Sequence, residues 1–243
     1  MQLREVYDFL DNLSPFSTQA SWDNSGLLIG SMQSEVEQIY LSLDIDSSLV
    51  DEIAPNSLVI THHPLIFSGL KKLDFDKYPS SLIQKMMAKN CALIAMHTNF
   101  DLSHLNRYVI SQVLGFDKFS CEEFVCYFEA NMPFEDLALH VKNVLDLDIV
   151  RCVKAQNFIN RCAFTTGSGG DLIGKIEADC FISGDFKYHQ ALEAKENKLS
   201  LIDMGHFESE RYFSACLGEH LKKLPLKAIM SNSKNPFEYR GHL

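Results

Sequence analysis

Ser57-Leu58-Val59-Ile60-Thr61-His62-His63-Pro64 is the stretch from which the fold can be read. Its first half is a short apolar, β-branched run, the composition of a buried strand. Its second half sets two imidazoles at the end of that strand. Pro64 biases His63 towards an extended backbone and bars a helix from starting there. Open α/β sheets place their ligands at the carboxyl ends of their strands. Successive side chains of a strand point to opposite faces, so both histidines serve one site only if the strand has ended and the chain is turning.

The same arrangement recurs further on. The apolar run 92–96 ends in His97-Thr98-Asn99-Phe100-Asp101, and the run 199–202 ends in Asp203-Met204-Gly205-His206-Phe207-Glu208-Ser209-Glu210. His97 with Asp101, and His206 with Glu210, have the i, i+4 spacing that puts two side chains on one face of a helix. Four imidazoles and two carboxylates exceed what one tetrahedral ion takes. With carboxylates able to bridge, they fit two divalent ions roughly 3.5–4 Å apart. Imidazole and carboxylate without thiolate suit Zn, Fe, Mn or Ni.

Around these three strand ends the chain alternates strand and helix. Leu3, Val6, Tyr7, Leu10 and Leu13 recur at helical spacing, which predicts an amphipathic first helix. Segments 27–29, 39–44, 58–61 and 92–96 read as strands, with helices over 47–53, 80–89 and 106–114. That is the β-α-β-α-β-α order of a mostly parallel sheet with covering helices. Beyond residue 120, strands are expected at 124–128, 149–153, 162–166, 180–183 and 199–202, a helix at 134–145, and a last apolar segment at 228–230. The reading is therefore α/β: two interlocked lobes, 1–120 and 121–243, with mixed, mostly parallel sheets and the metal site between them.

Two loops invite a role. Trp22-Asp23-Asn24-Ser25-Gly26 holds the only tryptophan and reads as a structural corner with the ring packed. Gly167-Ser168-Gly169-Gly170 comes at the end of an apolar strand, and a Gly/Ser-rich loop between strand and helix can cradle phosphate with its N–H groups. The full P-loop pattern is absent.

Composition narrows the class. With 243 residues, 46% hydrophobic and 22% charged, the chain has enough interior for a core without staples. A net charge of -10 argues against nucleic acid as the main partner, since phosphate binding needs a basic surface. The seven cysteines include no C-x-x-C pair and read as reduced core residues of a cytoplasmic protein. No run approaches the ~18 apolar residues of a membrane span.

The motifs together resemble a known family, the dinuclear-metal-centre hexameric, Nif-three-like proteins, often named GTP cyclohydrolase 1 type 2. The resemblance covers nearly the whole chain. It rests on Trp22-Asp23-Asn24-x-Gly26, His62-His63-Pro64-Leu65-Ile66-Phe67 and His97-Thr98-Asn99-x-Asp101. Gly167-Ser168-Gly169, Gly184-Asp185-x-Lys187-x-His189 and Gly205-His206-x-x-x-Glu210 match as well. It implies two metal ions per chain on His62, His63, Asp101, His206 and Glu210, with His97 beside them, and toroidal homo-hexamers. After Asp101 the family usually has a glycine-containing loop, where this chain reads Leu102-Ser103-His104-Leu105-Asn106.

The function implied is hydrolysis of GTP at its base, opening the imidazole ring with release of formate. His97 or His189 would act as general acid, and Gly167, Ser168, Gly169 and Lys187 would contact the substrate. A two-metal nucleotide phosphoesterase and a non-catalytic metal-binding hexamer predict the same ligands.

Overall fold

Strand 57–61 forms as read, and all five of its residues are buried. The computed structural model describes residues 1–231 and 233–238. It divides the chain into two units, one of residues 1–103 with the segment from Phe213 onward, the other of residues 104–212.

The first unit is built on β1 (Gly26–Ile29), β2 (Gln38–Ser42), β3 (Ser57–Thr61) and β4 (Ala92–Ala95). β2, β3 and β4 run parallel in that order, and β1 pairs antiparallel with the outer side of β4. The register puts Tyr40, Val59 and Leu93 on one face. Helices Ser47–Glu52 and Ser80–Ala88 bring Leu49, Val50, Leu82, Ile83 and Met86 into the same apolar cluster. Ile39, Leu58, Leu41, Ile60 and Ile94 point the other way and are fully buried too. A strand buried on both faces carries no alternation, which is why these strands read as continuous apolar runs. Each such side chain contributes about 1.5–3 kcal/mol, so the strand ends that carry the histidines rest on the firmest part of the unit.

The second unit contains β5 (Phe119–Glu122), β6 (Val125–Pro133), β7 (Arg151–Val153), β8 (Phe158–Ser168), β9 (Cys180–Gly184) and β10 (Ser200–Asp203), in the order β5-β6-β8-β9-β10-β7. Only β8-β9-β10 are parallel; the other three pairings are antiparallel. Helix Tyr188–Glu196 and the turn Gly170–Lys175 cover a cluster that includes Tyr127, Ala163, Phe181 and Leu201. The chain then returns to the first unit. Helix Phe213–Leu221 packs on β2, with Gly218 against Leu41, and β11 (Ala228–Met230) pairs parallel with β2. A division into 1–120 and 121–243 leaves this return out, because pairing between remote strands is not a local property of either.

Other elements differ from their sequence reading for physical reasons. β5 has alternating half-buried and exposed residues and little apolar signal. Helix Tyr188–Glu196 buries only Ala194 fully, so it lacks an apolar stripe. The helical run begins at Thr98, not 106, and continues through Val113 with π-helical turns at Asp101–Leu105 and Val109–Val113. The segment Leu102-Ser103-His104-Leu105-Asn106 is therefore helical. The cysteines are not all reduced. Cys121 and Cys126 are directly opposite one another on β5 and β6 and form a disulfide. Cys91, Cys162, Cys180 and Cys216 are buried thiols, and Cys152 is exposed. Among the described residues, no helix is long and apolar enough to cross a membrane.

Candidate metal centre

In the first unit, β3 and β4 are neighbours, so His62-His63 and His97 leave the sheet side by side. The backbone holds the turn: Leu43 O accepts from the N–H groups of His62 (3.2 Å) and His63 (3.1 Å), and Thr61 Oγ1 donates to His63 O at 2.8 Å. Each imidazole is pinned through Nδ1. His62 donates to Met96 O (2.9 Å), His63 to Asp44 Oδ1 (2.7 Å) and His97 to Asp23 Oδ1 (2.8 Å). A carbonyl or carboxylate only accepts, so the Nδ1 proton is fixed and the Nε2 lone pair is presented. Ligand atoms of His62, His63 and His97 all lie within 4.8 Å of one another, and Asp101 Oδ1 is 3.5 Å from His62 Nε2. Converging nitrogen lone pairs, each ring backed by an acceptor, with a carboxylate beside them, are a donor set that fits a divalent transition ion.

Asp23 is the anchor of this arrangement. Its Oδ1 accepts from His97 Nδ1 and Asn24 N; its Oδ2 accepts from the Ser25 hydroxyl and from both the N–H and the hydroxyl of Thr98. Burial works to raise the pKa of this carboxyl. The hydrogen bond from His97, with those from Thr98 and Asn24, outweighs it and holds Asp23 well below the usual carboxylate range. The Trp22-Asp23-Asn24-Ser25-Gly26 motif is therefore a corner, as read, but the packed residue is Asp23. Trp22 is 60% exposed.

In the second unit, His206 and Glu210 share one helical turn, His206–Glu210, with His206 Nε2 3.0 Å from Glu210 Oε2. Asp185 Oδ2 accepts from His206 Nδ1 at 2.7 Å, from a residue at φ +59°. Glu210 is buried, and what lies against it is Gly167. A Cβ on Gly167 would stand 2.2 Å from Glu210 Oε1, and its φ is +64°. A Cβ on Gly184 would stand 2.7 Å from Gly205 C and 2.8 Å from Gly167 O. Three backbone segments thus meet beneath the His/Glu pair with no room for a methyl group.

The sequence profile of Duf34/NIF3 (NGG1p interacting factor 3) matches residues 1–236. The chain belongs to this family. A Campylobacter jejuni relative named GTP cyclohydrolase 1 type 2 homolog is 57% identical, covering 98% of this chain and all of that one. A Helicobacter pylori relative named GTP cyclohydrolase 1 type 2 is 40% identical over 97% of this chain and 98% of its own length. A crystal structure of the Staphylococcus aureus hypothetical protein SA1388 superposes with a TM-score of 0.89 at 27% identity, covering 99% of each chain.

In this Duf34/NIF3 chain the residues singled out from sequence fare differently. His62, His63, His97 and Asp101 gather in the first unit, His206 and Glu210 in the second. His189 lies on the first turn of helix Tyr188–Glu196, exposed and edge-on to Tyr188; among the described residues it joins no metal-binding group. Lys187 and Ser168 are exposed. Gly167 donates its N–H to Ser209 Oγ (2.9 Å), and Gly169 lies against Phe181 and Ser183, so the glycines of this loop serve close packing. Sequence reading passed over Asp44 and Asp185 as histidine partners. A signal existed for Asp44: like the histidines, it ends an apolar strand, the one next to β3.

Proposed function

We propose that this chain is a metal-dependent hydrolase acting on a nucleotide, with GTP as substrate, whose guanine imidazole ring is opened with release of formate. The observation that carries the reading is four histidines, each held at Nδ1 by a carboxylate or carbonyl and so presenting Nε2, with Asp101 and Glu210 beside two of them. The names of the Campylobacter and Helicobacter relatives support the substrate.

His62, His63, Asp101, His206 and Glu210 are the proposed ligands of two divalent ions, drawn from Zn, Fe, Mn or Ni. Such ions would supply Lewis acidity towards the substrate and lower the pKa of a water towards neutrality. Asp44 and Asp185 orient His63 and His206 and raise their basicity. His97 is the general acid: its Nε2 delivers a proton to the departing ring nitrogen, and the ionised Asp23 at Nδ1 stabilises the imidazolium that precedes transfer. His189 is the weaker candidate, being exposed on a different element. Substrate contact falls to Ser168 and Lys187, because the Gly167 N–H is engaged by Ser209. The assembly we propose, on the resemblance of the motifs, is a cytoplasmic homo-hexamer.

Incubation of metal-loaded protein with GTP is expected to yield formate and an opened-ring triphosphate, with little free phosphate. Glu210→Gln should abolish the product while keeping the shape. Elemental analysis should find about two ions per chain, falling in His62→Ala and His206→Ala variants that stay folded. Inorganic phosphate without formate would transfer the reading to phosphoester hydrolysis. No turnover of any nucleotide with any of the four metals would favour a non-catalytic metal-binding assembly. A monomer by light scattering at all dilutions would remove the hexamer.

A further inference from the structure

Trp22 and Phe67 are 60% and 50% exposed, and they stand together beside the first-unit histidines. Their ring centroids are 5.9 Å apart with a 37° angle between planes. His97 meets both edge-on, at 6.1 Å from Trp22 and 6.4 Å from Phe67, and its ring is 5.1 Å from His62. The two aromatics are not loose. The residue after Trp22 is the buried Asp23 with its five incoming hydrogen bonds, and the Asn24 side-chain amide donates to Ile66 O, the carbonyl just before Phe67. The chain therefore holds the backbone at two large apolar side chains that face solvent next to its histidine cluster.

We infer that Trp22 and Phe67 form the base-stacking subsite of the nucleotide, and that its occupant is a purine ring; this rests on the reading that the adjacent site acts on a nucleotide. A ring inserted between two others needs about 7 Å, twice the contact distance of roughly 3.5 Å. At 5.9 Å the pair is too close for that, so the purine lies across the outer faces of both, where a bicyclic ring covers indole and phenyl together. That placement sets the edge of the imidazole ring towards His97 and its neighbours. Stacking supplies affinity through the ring faces and does not depend on hydrogen-bond readout, and anchored backbone at both aromatics reduces the ordering needed on binding.

The chain has a single tryptophan, so its emission reports on this surface alone. Metal-loaded protein would be titrated with guanosine and, separately, with ribose 5-phosphate. Guanosine is expected to quench Trp22 saturably and to shield it from acrylamide; ribose 5-phosphate is expected to do neither. By equilibrium dialysis, Trp22→Ala should weaken guanosine binding roughly tenfold or more, and Trp22→Phe much less. Metal content should be unchanged in both. Saturable quenching without formate production would leave the subsite standing and remove the cyclohydrolase reading. Formate production with an unchanged KM for GTP in Trp22→Ala would overturn the subsite and leave the reaction standing. Trp22 shielded from acrylamide in the protein without ligand would also overturn it, since the surface would then be covered by another copy of the chain.

Discussion

The two clusters of candidate ligands are built in opposite ways. In the first unit the histidines end parallel strands whose side chains are buried on both faces, and their orienting groups arrive from neighbouring strand ends and a corner. In the second unit His206 and Glu210 stand on one short helical turn, and their position depends on backbone packed against backbone at Gly167, Gly184 and Gly205. The first arrangement separates stability from ligation, because the strands fold whatever their ends carry. The second joins them: a change that disturbs packing disturbs the ligands as well.

The largest expected effect tests that distinction directly. Gly167→Ala puts a methyl group 2.2 Å from Glu210 Oε1 on a backbone at φ +64°, and should cost at least about 3 kcal/mol of stability together with metal. Gly69→Ala, where nothing lies within 4 Å, should change stability by less than about 0.5 kcal/mol. Urea melts with elemental analysis check both, and a stable, metal-replete Gly167→Ala would erase the contrast.

Asp23→Asn comes next, since it removes charge from the acceptor that His97, Thr98, Asn24 and Ser25 share. A loss of about 2 kcal/mol is expected at neutral pH. The folded-state pKa of Asp23 lies below its unfolded value. Its contribution is therefore fully present above about pH 4 and is lost as pH falls further. The stability gap between wild type and variant should be flat from pH 7 to about 5, begin to shrink only below about pH 4, and still be largely open at about pH 3. A gap that widens in acid would mean that Asp23 is not held ionised.

Asp44→Asn and Asp185→Asn should leave stability nearly unchanged and weaken metal binding by roughly 10–100-fold. Competition against a chromogenic chelator would measure it. Equal losses in both would show that the two clusters use their orienting carboxylates alike, in spite of their different supports. The smallest effect belongs to His189→Ala, expected to stay within about 0.5 kcal/mol of wild type with full metal content. Ligand loss there would return His189 to the site.

How far each feature was legible without the structure depends on how local its signal is. The strands ending in His62-His63, His97 and His206 are legible because a strand buried on both faces is an apolar run, and the His206/Glu210 pair because a helical turn has a fixed spacing; Asp101 instead meets His62, and His97 meets Asp23. β5 and helix Tyr188–Glu196 were not legible, since their exposed faces leave no period to detect. The cysteine pairing was not legible either. Cys121 and Cys126 become partners only once a hairpin sets them opposite one another.

The sequence by itself therefore determined the fold class and the strand ends at which the histidines stand. Tertiary structure alone decided that Asp23 serves His97 from 74 residues away and Asp44 serves His63 from 19. It also decided that Gly167 is there for want of space, that β11 extends the first sheet, and that the one tryptophan faces solvent. The reason is physical. Burial pattern and helical spacing are set by a few neighbouring residues, whereas which carboxylate meets which imidazole depends on which strands adjoin and in what register.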